Sequence, residues 1–71
     1  MTVTKTIDLS GTSSGSIEAA VEHALARASA TIADIEGFEI ERITGTVGPD
    51  GIEGYRVWLK VTFVVQEKLH E

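Results

Sequence analysis

The residues of this chain that could do chemistry are few, and their spacing does not gather them into a catalytic set. His23 falls within a helix-periodic stretch four positions before Arg27, where it reads as a solvated helix residue rather than a general base. His70 lies in the last few residues. Ser13 stands in Gly11-Thr12-Ser13, which is not the G-x-S-x-G turn that exposes a nucleophilic serine. Gly11 and Gly15 lack the Gly-Lys-Ser/Thr that completes a phosphate-cradling loop. There is no cysteine, so no disulfide and no thiolate metal site can form. Asp8, Glu39 and Glu41 are the candidates for holding calcium or magnesium across a subunit contact, although carboxylates on strands are more often solvated or salt-bridged. Trp58 reads first as an interface residue and second as a platform for a planar ligand. No enzyme is expected from this set.

The elements that must carry these residues follow from hydrophobic period. Positions 2–9 alternate, with Val3, Ile7 and Leu9 on one face and Thr2, Thr4, Thr6 and Asp8 on the other, which predicts a strand. Ser10 to Ser16 is a cluster of turn and cap residues, and Ser13, Ser14 or Ser16 could each cap the helix that follows. Ile17, Ala20, Val21, Ala24, Leu25, Ala28, Ile32 and Ile35 then recur at helical spacing. They predict one long amphipathic helix over 15–35, with Gly37 beyond it as the stop. Its alanines allow close approach to a sheet.

Two further strands are predicted over 38–47 and 54–66, joined by Gly48-Pro49-Asp50-Gly51, where proline presets φ and glycine admits positive φ. Closing that hairpin by pairing Val47 with Ile52 sets Phe38 against Val61, Ile40 against Leu59, Glu39 against Lys60 and Glu41 against Trp58. Apolar residues then face apolar ones, and Glu39 faces an opposite charge. Ile43 falls on the polar side in this register, which calls for a bulge or a subunit contact there. Lys68 to Glu71 reads as a loose tail. The fold class is α+β: a β-α-β-β order in which a three-stranded antiparallel sheet wraps on one long helix, in a single domain over 1–71.

Size and charge constrain the setting. Seventy-one residues carry eleven acids against six bases, a net charge of −5, with no run of basic residues. Nucleic acid and anionic membrane are therefore excluded as expected partners. The opening residues alternate rather than forming an apolar block, and no apolar stretch is long enough to cross a membrane, so the expected location is the cytoplasm. A chain this short buries only about 60% of its unfolded surface. Without disulfides, neighbouring subunits are expected to supply the missing burial, above all on the sheet's second face, which bears Trp58 and Val64 and, in this register, Ile43.

Gly11-Thr12-Ser13, the helix with Ala20, Ala24, Arg27-Ala28 and Thr31, then Phe38-Glu39-Ile40, Gly45 and Tyr55-x-Val57-x-Leu59-Lys60-Val61-x-Phe63 together resemble the dodecin family over nearly the whole chain. The resemblance implies a hollow homododecamer that binds flavin (riboflavin, FMN or FAD) in pairs stacked between tryptophans, storing or sequestering it without catalysis. At the positions implied to touch the ligand, the chain departs from the family. The stacking indole is replaced by Gly37, the ring-contacting glutamine by Arg56, and an arginine before the family's glycine by Thr44. A stacked ring is worth about 1–3 kcal/mol. Gly37 faces Thr62, four residues and roughly 13 Å along the strand from Trp58, so Trp58 cannot refill that slot within its own subunit. Gly37, Arg56 and Trp58 are the candidate small-molecule site. A flavin-free shell with a structural role, or one binding metal through Asp8, Glu39 and Glu41, is the alternative.

Overall fold

A computed structural model describes residues 2–65; Met1, Gln66 and the predicted tail with His70 lie outside the described residues. The element order is β1 (Val3–Ser13), α1 (Ile17–Ser29), β2 (Ile35–Gly48) and β3 (Gly51–Val65). All strand pairings are antiparallel, in the order β1-β3-β2, so α1 carries the chain over the central strand from one sheet edge to the other. This is the expected α+β, β-α-β-β architecture.

The core forms where the helix's small residues meet the central strand. Val57, Leu59 and Val61 of β3 have no solvent-exposed surface, and Ala20, Val21, Ala24 and Ala28 are the buried face of α1. Each fully buried aliphatic side chain of this kind contributes roughly 1.5–3 kcal/mol. Ile7 and Leu9 of β1, with Leu25 and Ile35, pack around that centre.

Several boundaries differ from the sequence expectation, the largest for local reasons. β1 does not stop at position 9: Ser10, Gly11, Thr12 and Ser13 continue it, opposite Trp58, Val57, Arg56 and Tyr55. Turn-forming residues are held extended here by a full-length partner strand. The cap is settled at Ser16, whose extended backbone starts the helix and whose Oγ accepts from the Ala19 amide at 3.0 Å. The helix ends at Ser29 rather than near 35. The Thr31 and Ile32 amides both donate to the Ala28 carbonyl, and Asp34 adopts φ 61°, a left-handed conformation that no helix continues through. Ile35, although helix-spaced, begins β2 opposite Phe63.

The hairpin closes with Pro49 and Asp50 between paired Gly48 and Gly51, and Gly51 takes φ 115°. Its register matches the expected one at Gly37–Thr62, Phe38–Val61, Glu39–Lys60, Ile40–Leu59 and Val47–Ile52. It fails at Glu41. A bulge between Ile40 and Arg42 leaves Glu41 unpaired, puts Arg42 opposite Trp58 and brings Ile43 opposite the buried Val57. Ile43 therefore lies on the helix side of the sheet, not on the face that carries Trp58.

The helix packs on β1 and β3, and it leaves most of the matching face of β2 uncovered. Phe38, Ile40 and Ile43 line that strip, all more than a third exposed. At the hairpin tip Val47 and Ile52 are more exposed still. The chain is drawn out to 62 × 20 × 12 Å.

Candidate ligand-binding face

The pleat of β3 directs Val57, Leu59 and Val61 into the core, so the alternate residues Arg56, Trp58, Lys60, Thr62 and Val64 face away from the helix. Neighbouring strands complete rows across this outer face. Thr12, Arg56 and Thr44 form one row; Ser10, Trp58 and Arg42 form the next; Asp8, Lys60 and Glu39 form a third.

Two guanidiniums lie against the single indole. The Arg42 Cζ is 4.0 Å from the centroid of the Trp58 ring and the Arg56 Cζ is 5.6 Å from it. At such an exposed site each cation–π contact is worth about 0.5–1 kcal/mol. Arg56 and Trp58, two of the three candidate ligand residues, are thus in one patch. Arg42 belongs with them and was not among the expected site residues. Its signal in the sequence was indirect: the regular register sent Ile43 to the polar face, and the bulge that corrects Ile43 is what aligns Arg42 with Trp58.

Gly37 stands apart from this patch, on the same face but opposite Thr62. A Cβ at position 37 would meet no atom within 4 Å. Position 37 is thus open to a side chain's first atom and itself carries no aromatic ring. The aromatic surface of this face is Trp58.

The three carboxylates lie around Lys60, and one of them is paired with it. Asp8 and Glu39 flank Lys60 in the strand register, and the bulged Glu41 places Oε2 3.5 Å from its Nζ, both side chains being 41% exposed. Among the described residues no group of three or more acids and histidines converges as a metal site. A cation entering this row would displace the Lys60 ammonium.

On the other side of the sheet His23 Nδ1 lies 3.1 Å from the Thr12 carbonyl oxygen, and in the tautomer protonated on Nδ1 it donates there. His23 is exposed, as its reading as a solvated helix residue expected, and it also ties α1 to β1. It borders a cleft of about 460 Å³ whose walls include Ile7, Leu9, Arg27 and Ile32. No helix among the described residues is long and apolar enough to cross a membrane.

Fold and face together define a small helix-on-sheet protein with an apolar strip uncovered on one side and an indole–guanidinium patch open on the other. Residues 3–66 match the model of the Dodecin family, and the chain belongs to that family. It is 43% identical over 65 residues to a dodecin of Thermus thermophilus, covering 92% of this chain and 94% of the relative. A crystal structure of a Thermus thermophilus protein superposes with a TM-score of 0.90 at 41% identity, covering 96% of this chain and all of that one. The calcium dodecin of Mycobacterium tuberculosis, a calcium-chelating antigen with a novel calcium-binding site, superposes with a TM-score of 0.78 at 32% identity, over 97% of this chain and 99% of that one.

Proposed function

We propose that the protein assembles as a cytoplasmic homododecamer that binds flavin (riboflavin, FMN or FAD) and stores or sequesters it without catalysis. The observation that carries this reading is the match to the Dodecin family across residues 3–66, which spans all four elements. The exposed strip of Phe38, Ile40 and Ile43 supports self-assembly, because an isolated chain of this size gains too little from its own core. A bound flavin supplies a planar, photoreactive and redox-active ring. The chain's part is to offer the half-buried Trp58 as an aromatic surface and Arg56 as a cationic contact beside it.

Native mass spectrometry of gently purified protein, followed by flavin titration, tests both halves. Twelve copies of 7.6 kDa give about 91 kDa, with added mass in flavin-sized steps. A mass of one chain overturns the assembly. The absence of flavin quenching at high micromolar concentration overturns the flavin part.

A second reading is a flavin-free shell of the same architecture, and Gly37 favours it, since the position of the implied stacking indole carries no side chain. Its metal-binding form, through Asp8, Glu39 and Glu41, has the calcium dodecin of Mycobacterium tuberculosis as its support and the Lys60 ammonium as its obstacle. Calcium or magnesium that leaves the melting temperature unchanged removes the metal form.

A further inference from the structure

We propose that Arg42 and Arg56, held against Trp58, form an anion site that takes the phosphate group of a small phosphate monoester. Arg42 and Arg56 make no ion pair among the described residues, in a chain whose net charge is −5. Asp8 and Glu39 lie on the Lys60 row and Glu41 engages its ammonium, while Glu53, which lines a cleft with Arg56, makes no ion pair with it. The two rows that hold the arginines contain Ser10, Thr12 and Thr44 and no acid. Two like charges beside one ring repel each other, and an anion shared between them removes that repulsion.

The chemistry selects phosphate over carboxylate. Each guanidinium presents a planar fork of N–H donors, and a carboxylate's two oxygens satisfy a single fork. A phosphate monoester carries close to two negative charges at neutral pH and has three terminal oxygens to distribute between two forks. The backbone brings both arginines to the same indole: Arg56 is two residues from Trp58 on β3, and the Glu41 bulge fixes Arg42 opposite it on β2, with the guanidinium carbons 5.6 and 4.0 Å from the ring centroid. The ring contacts restrict both guanidiniums before any ligand arrives, so less side-chain freedom is lost on binding. The site shares Arg56 and Trp58 with the flavin reading. It is tested without flavin, so the failure of one leaves the other standing.

Trp58 is the only tryptophan, so its emission reports the site directly. The assembled protein is titrated with inorganic phosphate and with glycerol phosphate, the ionic strength being held constant with sodium chloride. A saturable change in emission is expected from both phosphates. Arg42→Gln and Arg56→Gln should each raise the half-saturating concentration about tenfold or more, the usual consequence of losing hydrogen bonds to a charged group. Arg42→Lys, which keeps the charge and loses the fork, should raise it less than Arg42→Gln. A non-saturable response, or one that chloride reproduces at equal ionic strength, overturns the site. Unchanged binding in either glutamine variant overturns the two-arginine arrangement. Circular dichroism of each variant verifies that the exposed substitutions leave the sheet intact.

Discussion

Gly11 lies directly beneath Ala20: the Cβ that glycine lacks would stand 2.5 Å from the Ala20 carbonyl oxygen and 3.0 Å from the Ala24 Cβ. The close approach of α1 to β1 therefore depends on a missing methyl group on the strand and on small residues on the helix. The obstacle is backbone, which cannot swing aside as a side chain could. Gly11→Ala should force the helix outward and destabilise the fold by about 1–3 kcal/mol. Gly37→Ala, where a Cβ meets nothing within 4 Å, should stay within about 0.5 kcal/mol of the parent. Thermal midpoints at matched protein concentration test the contrast, and equal midpoints for the two variants would contradict the packing.

Position 37 also permits a gain-of-function experiment. A Cβ there meets nothing within 4 Å, and the resemblance to the family implies that an indole at this position stacks on flavin. Gly37→Trp should tighten flavin binding by about 10- to 100-fold, corresponding to 1–3 kcal/mol of stacking. Fluorescence quenching of FMN titrated with parent and variant measures the ratio. If affinity is unchanged, position 37 does not lie at the ligand, and the flavin site must be sought elsewhere.

Most of the architecture was legible because hydrophobic period reports burial, and burial here is arranged by regular elements. The alternation of Val57, Leu59 and Val61 and the recurrence of Ala20, Ala24 and Ala28 give strand, helix and their mutual contact. What the sequence hid were irregularities decided by pairing. Helical spacing extends through Ile32 and Ile35, yet the left-handed Asp34 and the demand of Phe63 for a strand partner end the helix earlier. Ser10 to Ser13 have turn-forming character but lie along the full length of β3. One unpaired residue, Glu41, moved Ile43 to the inner face and aligned Arg42 with Trp58. The candidate site was therefore half visible: Trp58 stood out as the single indole on a strand and Arg56 through the family resemblance, whereas Arg42 requires a bulge that no local pattern announces.

The N-cap offers a test of how firmly the short helix is anchored. Ser16 Oγ accepts from the Ala19 amide at 3.0 Å, and Ser13 Oγ accepts from the Gly15 amide at 2.9 Å in the turn just before it. The first bond satisfies a helix-terminal donor, and the second shapes the approach to the helix. Ser16→Ala should cost about 1 kcal/mol, and Ser16→Asp should retain stability by keeping an acceptor at the positive end of the helix. Denaturant midpoints order the three proteins, and an alanine variant as stable as the parent would show that the cap is dispensable.

The strip of Phe38, Ile40 and Ile43 makes assembly testable at a single residue. These side chains face the same way as the core, but α1 packs on β1 and β3 and leaves them more than a third exposed. A free chain would present this strip to water, whereas a neighbouring subunit laid against it would remove all three side chains from solvent together. Phe38→Lys places an ammonium in that contact, where it has no partner among the apolar neighbours and must be desolvated. The expected result is loss of the particle near 91 kDa, twelve copies of 7.6 kDa, in favour of smaller species. Thr44→Lys, on the outer face in the row of Arg56, adds the same charge to the face that the sequence marks for subunit contact, so loss of the particle there but not with Phe38→Lys would place the contact on that face. Native mass spectrometry or light scattering separates the outcomes. A dodecamer that survives Phe38→Lys would mean that the exposed edge of β2 is not the surface through which subunits meet.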